Sequence, residues 1–235
     1  MNSRFLIALT IFCVGFFGLS ACNSVSQNKE ATTSDAQTLS NQSQLGNAVA
    51  IDTAASKVYW RGAKLIGDSH KGYVPVLNGQ VFVSNGRLNG GNIVLDMRSL
   101  QPTDQDLEGN NKLKAHLSST DFFSVDSFPT ASFEINKIVD GTPNSVSTTP
   151  DSGMDAKKAG IVSNATVTGN MTIKGTTMSI TFPAEIDVDS NSVMFKAAFA
   201  IDRTLWGVNY GSENSIRDKI ISKNVDFDII VKSSR

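Results

Sequence analysis

From Ile161 to Val231 the chain alternates apolar and polar residues at a period of two, and that period constrains the fold more than any other feature. Ile161, Ala165, Val167, Met171 and Ile173 fall on one face, with Asn164, Thr166, Thr168, Asn170 and Thr172 on the other. Beyond Gly175, the set Met178, Ile180, Phe182, Ala184, Ile186 and Val188 alternates with Thr177, Ser179, Thr181, Glu185 and Asp187. The pattern continues through Val193, Phe195, Ala197, Phe199 and Ile201, then Val225, Phe227, Ile229 and Val231. Successive side chains of a strand point to opposite faces, so each run predicts a strand with one apolar and one wet face. Four earlier strands are predicted at Lys57–Ile66, Tyr73–Val83, Leu88–Arg98 and Thr130–Val139, the first inward through Val58 and Trp60, the third through Ile93, Leu95 and Met97. Ser84-Asn85-Gly86-Arg87 predicts a tight hairpin, because Asn-Gly tolerates positive φ. Eight antiparallel strands without a partner sheet must close on themselves or stack as a sandwich. Asp140–Gly160, rich in Ser, Thr, Pro, Gly and Asp, reads as a mobile hairpin loop.

One stretch breaks the alternation. Leu113 and Leu117 are four apart, which predicts a short helix with both on one face and His116 beside them. Phe122, Phe123, Phe128 and Pro129 follow, and the proline forces extended geometry into the strand Ala131-Phe133-Ile135. This corner, plugged with aromatics, predicts a lid over the end of a hollow structure.

The chain opens on a processing segment. Arg4 precedes an apolar run, Phe5–Leu19, that is too short to span a bilayer comfortably, and Leu19-Ser20-Ala21 places small residues before Cys22. This spacing predicts a bacterial lipoprotein signal over residues 1–21, with cleavage before Cys22 and acylation of its sulfur. Two or more acyl chains hold a protein stably, at about 0.8 kcal/mol per buried methylene. Asn23 stands where an aspartate commonly retains lipoproteins in the inner membrane, so the expectation is an outer-membrane lipoprotein facing the periplasm. With Cys13 in the leader and Cys22 acylated, no disulfide remains. Loss of Met1–Ala21 removes Arg4 and no acid, which leaves 20 Lys and Arg against 22 Asp and Glu. A surface this close to neutral offers no footprint for nucleic acid. Residues 22–47, made of Ser, Thr, Asn, Gln and Ala, are expected to form a flexible tether, with the folded domain over 48–235.

Five blocks in order resemble one family. They are Gly67-Asp68-Ser69-His70-Lys71-Gly72, Leu95-Asp96-Met97-Arg98-Ser99-Leu100, His116–Phe133, Gly169-Asn170-Met171-Thr172-Ile173-Lys174-Gly175 and Ile201–Ser212. Together they are similar to the YceI-like, polyisoprenoid-binding family, over roughly Ala50 to Lys232. The resemblance implies an all-β, antiparallel, eight-stranded lipocalin-like barrel with a short helix and an aromatic plug. It also implies a long isoprenoid or similar amphiphilic lipid in the interior, no catalysis and no cofactor.

Pattern alone reads the inward face as a close-packed core, whereas the resemblance makes it a lipid lining. The lining expected on that basis is Trp60, Ile93, Leu95, Phe133, Val167, Met171, Phe182 and Phe199. His70 and His116 either order a turn each or bind the lipid's polar head. Two histidines without ligand-spaced partners fall short of a metal site. Arg203 either pairs with Asp202 to lock the barrel rim or clamps a phosphate. A hydrolase built on Gly67-Asp68-Ser69 lacks a histidine late in the chain to serve as base. An envelope interaction module with a packed barrel and no lipid remains the alternative, and homodimerisation stays open.

Overall fold

The structure is a computed structural model that describes residues 26–146, 161–190, 192–212 and 220–234. The leader, Cys22 and most of the expected loop after Asp140 lie outside the described residues. Eleven strands form one sheet: β1 (Thr32–Asp35), β2 (Asn47–Ala50), β3 (Lys57–Lys64), β4 (Ser69–Ser84), β5 (Arg87–Asp96), β6 (Gln101–Pro102), β7 (Thr130–Val146), β8 (Ile161–Ile173), β9 (Thr176–Val188), β10 (Ser192–Asp202) and β11 (Ile221–Ser234). Eight of them close in the order β3-β4-β5-β7-β8-β9-β10-β11 and back to β3, antiparallel throughout. The fold is therefore a closed up-and-down barrel, and the sandwich is excluded. Closure removes the long outer edges that an open sheet of this length would have to protect.

The hairpins follow from local chemistry. Asn85 and Gly86 both take positive φ, at 52° and 72°, and Lys174 and Gly175 do the same at 49° and 77°. These are the left-handed pairs that two-residue turns require. The strand β7 runs on to Val146, so the expected loop begins later than Asp140. The helix α1 (Leu107–Ser118) is longer than Leu113 and Leu117 suggested, because Asp106 caps its N-terminus by accepting the Gly109 N–H at 2.7 Å. It stops well short of Pro129. Ser119 closes it, its hydroxyl donating to the His116 carbonyl, and the Phe123 and Val125 N–H groups take up the carbonyls of Leu117 and Ser118.

The main correction concerns the expected tether. From Ser26 to Ala50 the chain is a belt around the outside of the barrel. Asp226 on β11 accepts hydrogen bonds from the Ser26 hydroxyl at 2.5 Å and from the Gln27 and Asn28 N–H groups at 3.0 Å. Next, Glu30 pairs in parallel with Ala200 of β10, and β1 pairs with β9 from Thr32↔Thr181 to Asp35↔Met178. Asn170 of β8 then clamps Gln37 through both its amide atoms, and Asn136 of β7 accepts the Ser40 N–H at 2.6 Å. At β5 the belt presses so close that a Cβ on Gly90 would lie 1.9 Å from the Ser43 carbonyl oxygen. Finally β2 pairs with β4, and Ile51 reaches Ser233 at the end of β11. Composition predicted disorder because the belt buries little apolar surface of its own. It is held instead by backbone pairing and by asparagine and aspartate side chains of the barrel.

The belt is also part of the wall. β9 and β10 pair only over Ala184–Val188. Toward the other end they part, and the belt lies between them, paired to both. Ala31 there is buried within the same apolar cluster as Phe182 and Phe199.

Candidate functional site

The inward faces enclose a cavity of about 230 Å³. Its belly is lined by the rings and aliphatic chains that alternation put inside. Phe133, Phe182, Phe199 and Phe227 form a ladder across it, with centroid separations of 5.6, 4.1 and 6.0 Å and the middle pair stacked. Ile93, Leu95, Met171 and Trp60 complete the expected lining. Val167 was expected there too but does not line the cavity. It is fully buried beside its cross-strand partner Phe182, whose ring takes the lining position.

Every polar side chain on the lining except Asn92 and Ser132 belongs to one end: Lys64, Asp68, His70 and Arg203. Lys64 and Asp68 pair at 3.3 Å and are 40% and 76% exposed, so the cavity meets solvent at the β3–β4 corner. The same end carries the aromatic corner. Leu113 and Leu117 of α1, with Phe122 and Phe123, line the cavity and cover its end, whereas Phe128, expected in the same plug, is exposed and lies against Gly175. Leu100 and Met97 brace them in a second apolar cluster with Trp60 and Val74. Gly72 has its own reason here, because β6 crosses it so closely that a Cβ would fall 2.1 Å from the Gln101 carbonyl oxygen.

The two histidines separate in role. His70 lines the mouth, and its Nδ1 lies 2.9 Å from an Asp104 carboxylate oxygen. His116 lies outside the cavity. Its ring stands edge-on between Phe122 and Tyr210, at 5.0 and 4.8 Å, and its Nε2 meets Asp121 at 3.2 Å. It braces the lid at its edge, held between Phe122 and Tyr210 and by Asp121. Ser69 and His70 are neighbours on β4, so their side chains point to opposite sides of the wall and form no nucleophile–base pair.

Arg203 matches neither expectation. Among the described residues it pairs with no carboxylate. Its Nε donates to the Ser222 carbonyl at 3.0 Å, Nη1 to Val208, and Nη2 to Tyr210 and Ile221 at 2.9 and 3.2 Å. With these donors committed to backbone, the guanidinium pins the loop after β10 to the start of β11 and has little left for a phosphate. Asp202 instead meets Lys223 at 3.1 Å and caps Thr204. Burial raises the Asp202 carboxyl, but the Thr204 hydroxyl and N–H and the Lys223 ammonium outweigh it and hold its pKa below the ordinary value.

Sequence reasoning missed two features of the lining. Gly62 faces the cavity with no atom within 4 Å of where its Cβ would be. Alternation with Val58 and Trp60 marks the position as inward, but a residue without a side chain carries no hydropathy signal. The Trp60 indole N–H is buried without a hydrogen-bond partner among the described residues. Such a donor is seldom left unpaired in an interior.

A YceI-like domain model matches residues 50–232. No curated protein matches the sequence. BcnA of Burkholderia cenocepacia shares the fold at 18% identity, with 77% of this chain and 98% of that chain covered and a TM-score of 0.55. A polyisoprenoid binding domain from Saccharophagus degradans, implicated in plant cell wall breakdown, shares it at 13% identity, with 79% and 97% covered and a TM-score of 0.53. The belt from Ser26 to Val49 precedes the matched region. With more than half of its length inside the match and all eight barrel strands falling in or overlapping it, this chain belongs to the YceI-like domain family.

Proposed function

We propose that this protein binds a polyisoprenoid or similar amphiphilic lipid inside its barrel, without catalysis, as an outer-membrane lipoprotein anchored through Cys22 and facing the periplasm. The observation that carries the reading is the cavity, apolar along its length and polar at its open end. A slender hydrocarbon chain fits such a space, with its polar head at the β3–β4 corner near His70. The volume of about 230 Å³ lies below the roughly 300–1,000 Å³ usual for pockets that engulf drug-sized ligands. The barrel therefore takes a short run of the chain, and the rest leaves through the mouth. The S. degradans domain, a polyisoprenoid binder of the same fold, supports this ligand class. The unpaired Trp60 N–H favours a ligand with an acceptor oxygen that can reach it. The anchor and location rest on the leader and its cysteine.

The test is a binding series on the delipidated protein, with isoprenoid length varied at fixed headgroup. Affinity climbs with each added unit and levels off once the cavity is full, because each buried methylene contributes about 0.8 kcal/mol. A flat series overturns the reading and leaves a barrel that serves as an interaction module.

A further inference from the structure

Among the described residues, about half of the exposed large hydrophobic side chains stand at the open end of the barrel, the others being Leu45, Leu77, Phe128, Val139 and Val162. Leu65 and Ile66 form the tip of the β3–β4 corner, and Ile66 is 55% exposed. Leu107 at the start of α1 is 77% exposed, and Leu205 and Tyr210, after β10, are each 44% exposed. A β-corner normally carries polar turn residues at its tip. Here two consecutive aliphatics stand where the apolar cavity meets solvent. Among the described residues around them, Lys64 pairs with Asp68, Lys112 with Glu108, and His116 lies beside Asp121.

The belt adds an independent constraint. Ser26 is fixed on Asp226, which stands opposite Arg61 in the β11–β3 register. Arg61 is four residues from Leu65, about 13 Å along the strand. Cys22 is four Cα steps from Ser26, a reach of at most about 14 Å. An anchor at Cys22 can thus bring the Leu65–Ile66 tip to the bilayer, with almost no slack. The opposite end of β11, at Ser234, is eight residues from Asp226, about 26 Å, and is out of reach. A side-on orientation would press Lys29, Glu30, Lys223 and their neighbours against lipid, at a desolvation cost that the apolar rim does not carry.

We infer that the mouth rim, led by Leu65 and Ile66, is a docking surface for a zwitterionic lipid bilayer, and that the belt sets the barrel mouth-down on the membrane that holds its anchor. This rests on the lipid-binding and acylation reading above, and it makes the bilayer the place where the cavity loads and unloads. Ligand then passes from one apolar phase to the other without crossing water.

The experiment uses the full chain isolated from membranes and reconstituted into phosphatidylcholine–phosphatidylethanolamine vesicles. An environment-sensitive thiol dye is placed on Ile66→Cys or, in a separate protein, on Val162→Cys, at the far end of the barrel. The expected result is several-fold stronger quenching by acyl-chain spin-labelled lipid at position 66 than at 162, unchanged at high salt. Equal quenching, stronger quenching at 162 or none at 66 overturns the inference. If the dye also reacts with Cys22 and the protein stays in water, it is the acylation reading that has failed. The same water-soluble protein is then titrated with the vesicles. A loss in partitioning of about tenfold or more for Leu65→Ser/Ile66→Ser supports the rim, on the scale of two half-exposed aliphatic chains. No loss overturns it. A flat isoprenoid-length series, measured separately, would count against the ligand reading and not against docking.

Discussion

Gly62→Ile separates a ligand cavity from a packing defect, because the two readings give affinity and stability different relations. Gly62 sits inside β3, paired to His70 on β4 and Val225 on β11, with open space where its side chain would be. A β-branched residue suits a strand, and glycine there costs roughly 0.5–1 kcal/mol relative to alanine. The new side chain also fills space that is otherwise empty, so the delipidated protein gains about 1 kcal/mol or more. Isoleucine brings four side-chain carbons, which displace about as many methylenes of ligand. At about 0.8 kcal/mol each this removes about 3 kcal/mol of binding, roughly a 200-fold loss. Stability rises while affinity falls. Urea unfolding of the delipidated protein gives the first quantity, and titration with an isoprenoid long enough to saturate the wild type gives the second. Gly72→Ala is the control of opposite sign, since its Cβ would strike the Gln101 carbonyl. Affinity within threefold of wild type in a stabilised Gly62→Ile protein would refute the assignment of the ligand to this cavity. A loss of stability would refute the open space itself.

Other expectations follow from the same geometry. Arg203→Lys replaces a planar fork with one nitrogen that cannot reach Ser222, Val208, Tyr210 and Ile221 together, so unfolding free energy falls by about 2–4 kcal/mol. The preference between alcohol and diphosphate headgroups stays unchanged, and a change would restore the phosphate clamp. Asp226→Asn leaves the Arg61 guanidinium buried without its counter-charge and weakens the hold on Ser26, Gln27 and Asn28, at a cost of about 3–5 kcal/mol. Trypsin then cuts after Lys29 faster than in the wild type, and an unchanged rate would show that the belt is held elsewhere. The Asp202 carboxyl has its pKa lowered in the folded state, so its contribution is full above the ordinary value of 3.8 and is lost as pH falls below it. The stability gap between wild type and Asp202→Asn, followed by urea melts, therefore narrows on acidification through that range. A gap independent of pH would contradict the pairing.

The barrel was legible because its strands alternate, and in β8, β9 and β11 every residue of the inward set read from the sequence is buried or half-buried. The cavity was less legible. Hydropathy reports which residues face inward, not whether they meet. Small inward residues such as Ala165, Ala184 and Ala197 are fully buried and stay off the lining, while the space opens beside Gly62, which carries no signal. Arg203 misled for a related reason. A guanidinium beside an aspartate in sequence suggests an ion pair, but residues 202 and 203 leave the end of β10 in different directions, one toward Lys223 and one toward four carbonyls.

The belt was hidden in its own composition yet visible in that of its partners. Ala197-Ala198-Phe199-Ala200-Ile201 has no polar residue on the outward face of β10, and Ala198 and Ala200 are as buried as Phe199 between them. A strand covered on both faces needs a second layer, and the polar N-terminal segment supplies it. Asp226 and Asp228, outward on β11 and almost fully buried, repeat the argument in charge, since a carboxylate stays buried only where donors meet it. The belt therefore belongs to the container. If it left, the parted mouth-side halves of β9 and β10 would open beside Phe182 and Phe199, and water would reach a cavity that offers it few partners. The unfilled apolar space costs stability, and hydrocarbon held there as proposed would recover part of it. On the proposed lipid-binding reading, occupancy and belt closure stabilise the same wall, and release of one weakens the hold on the other.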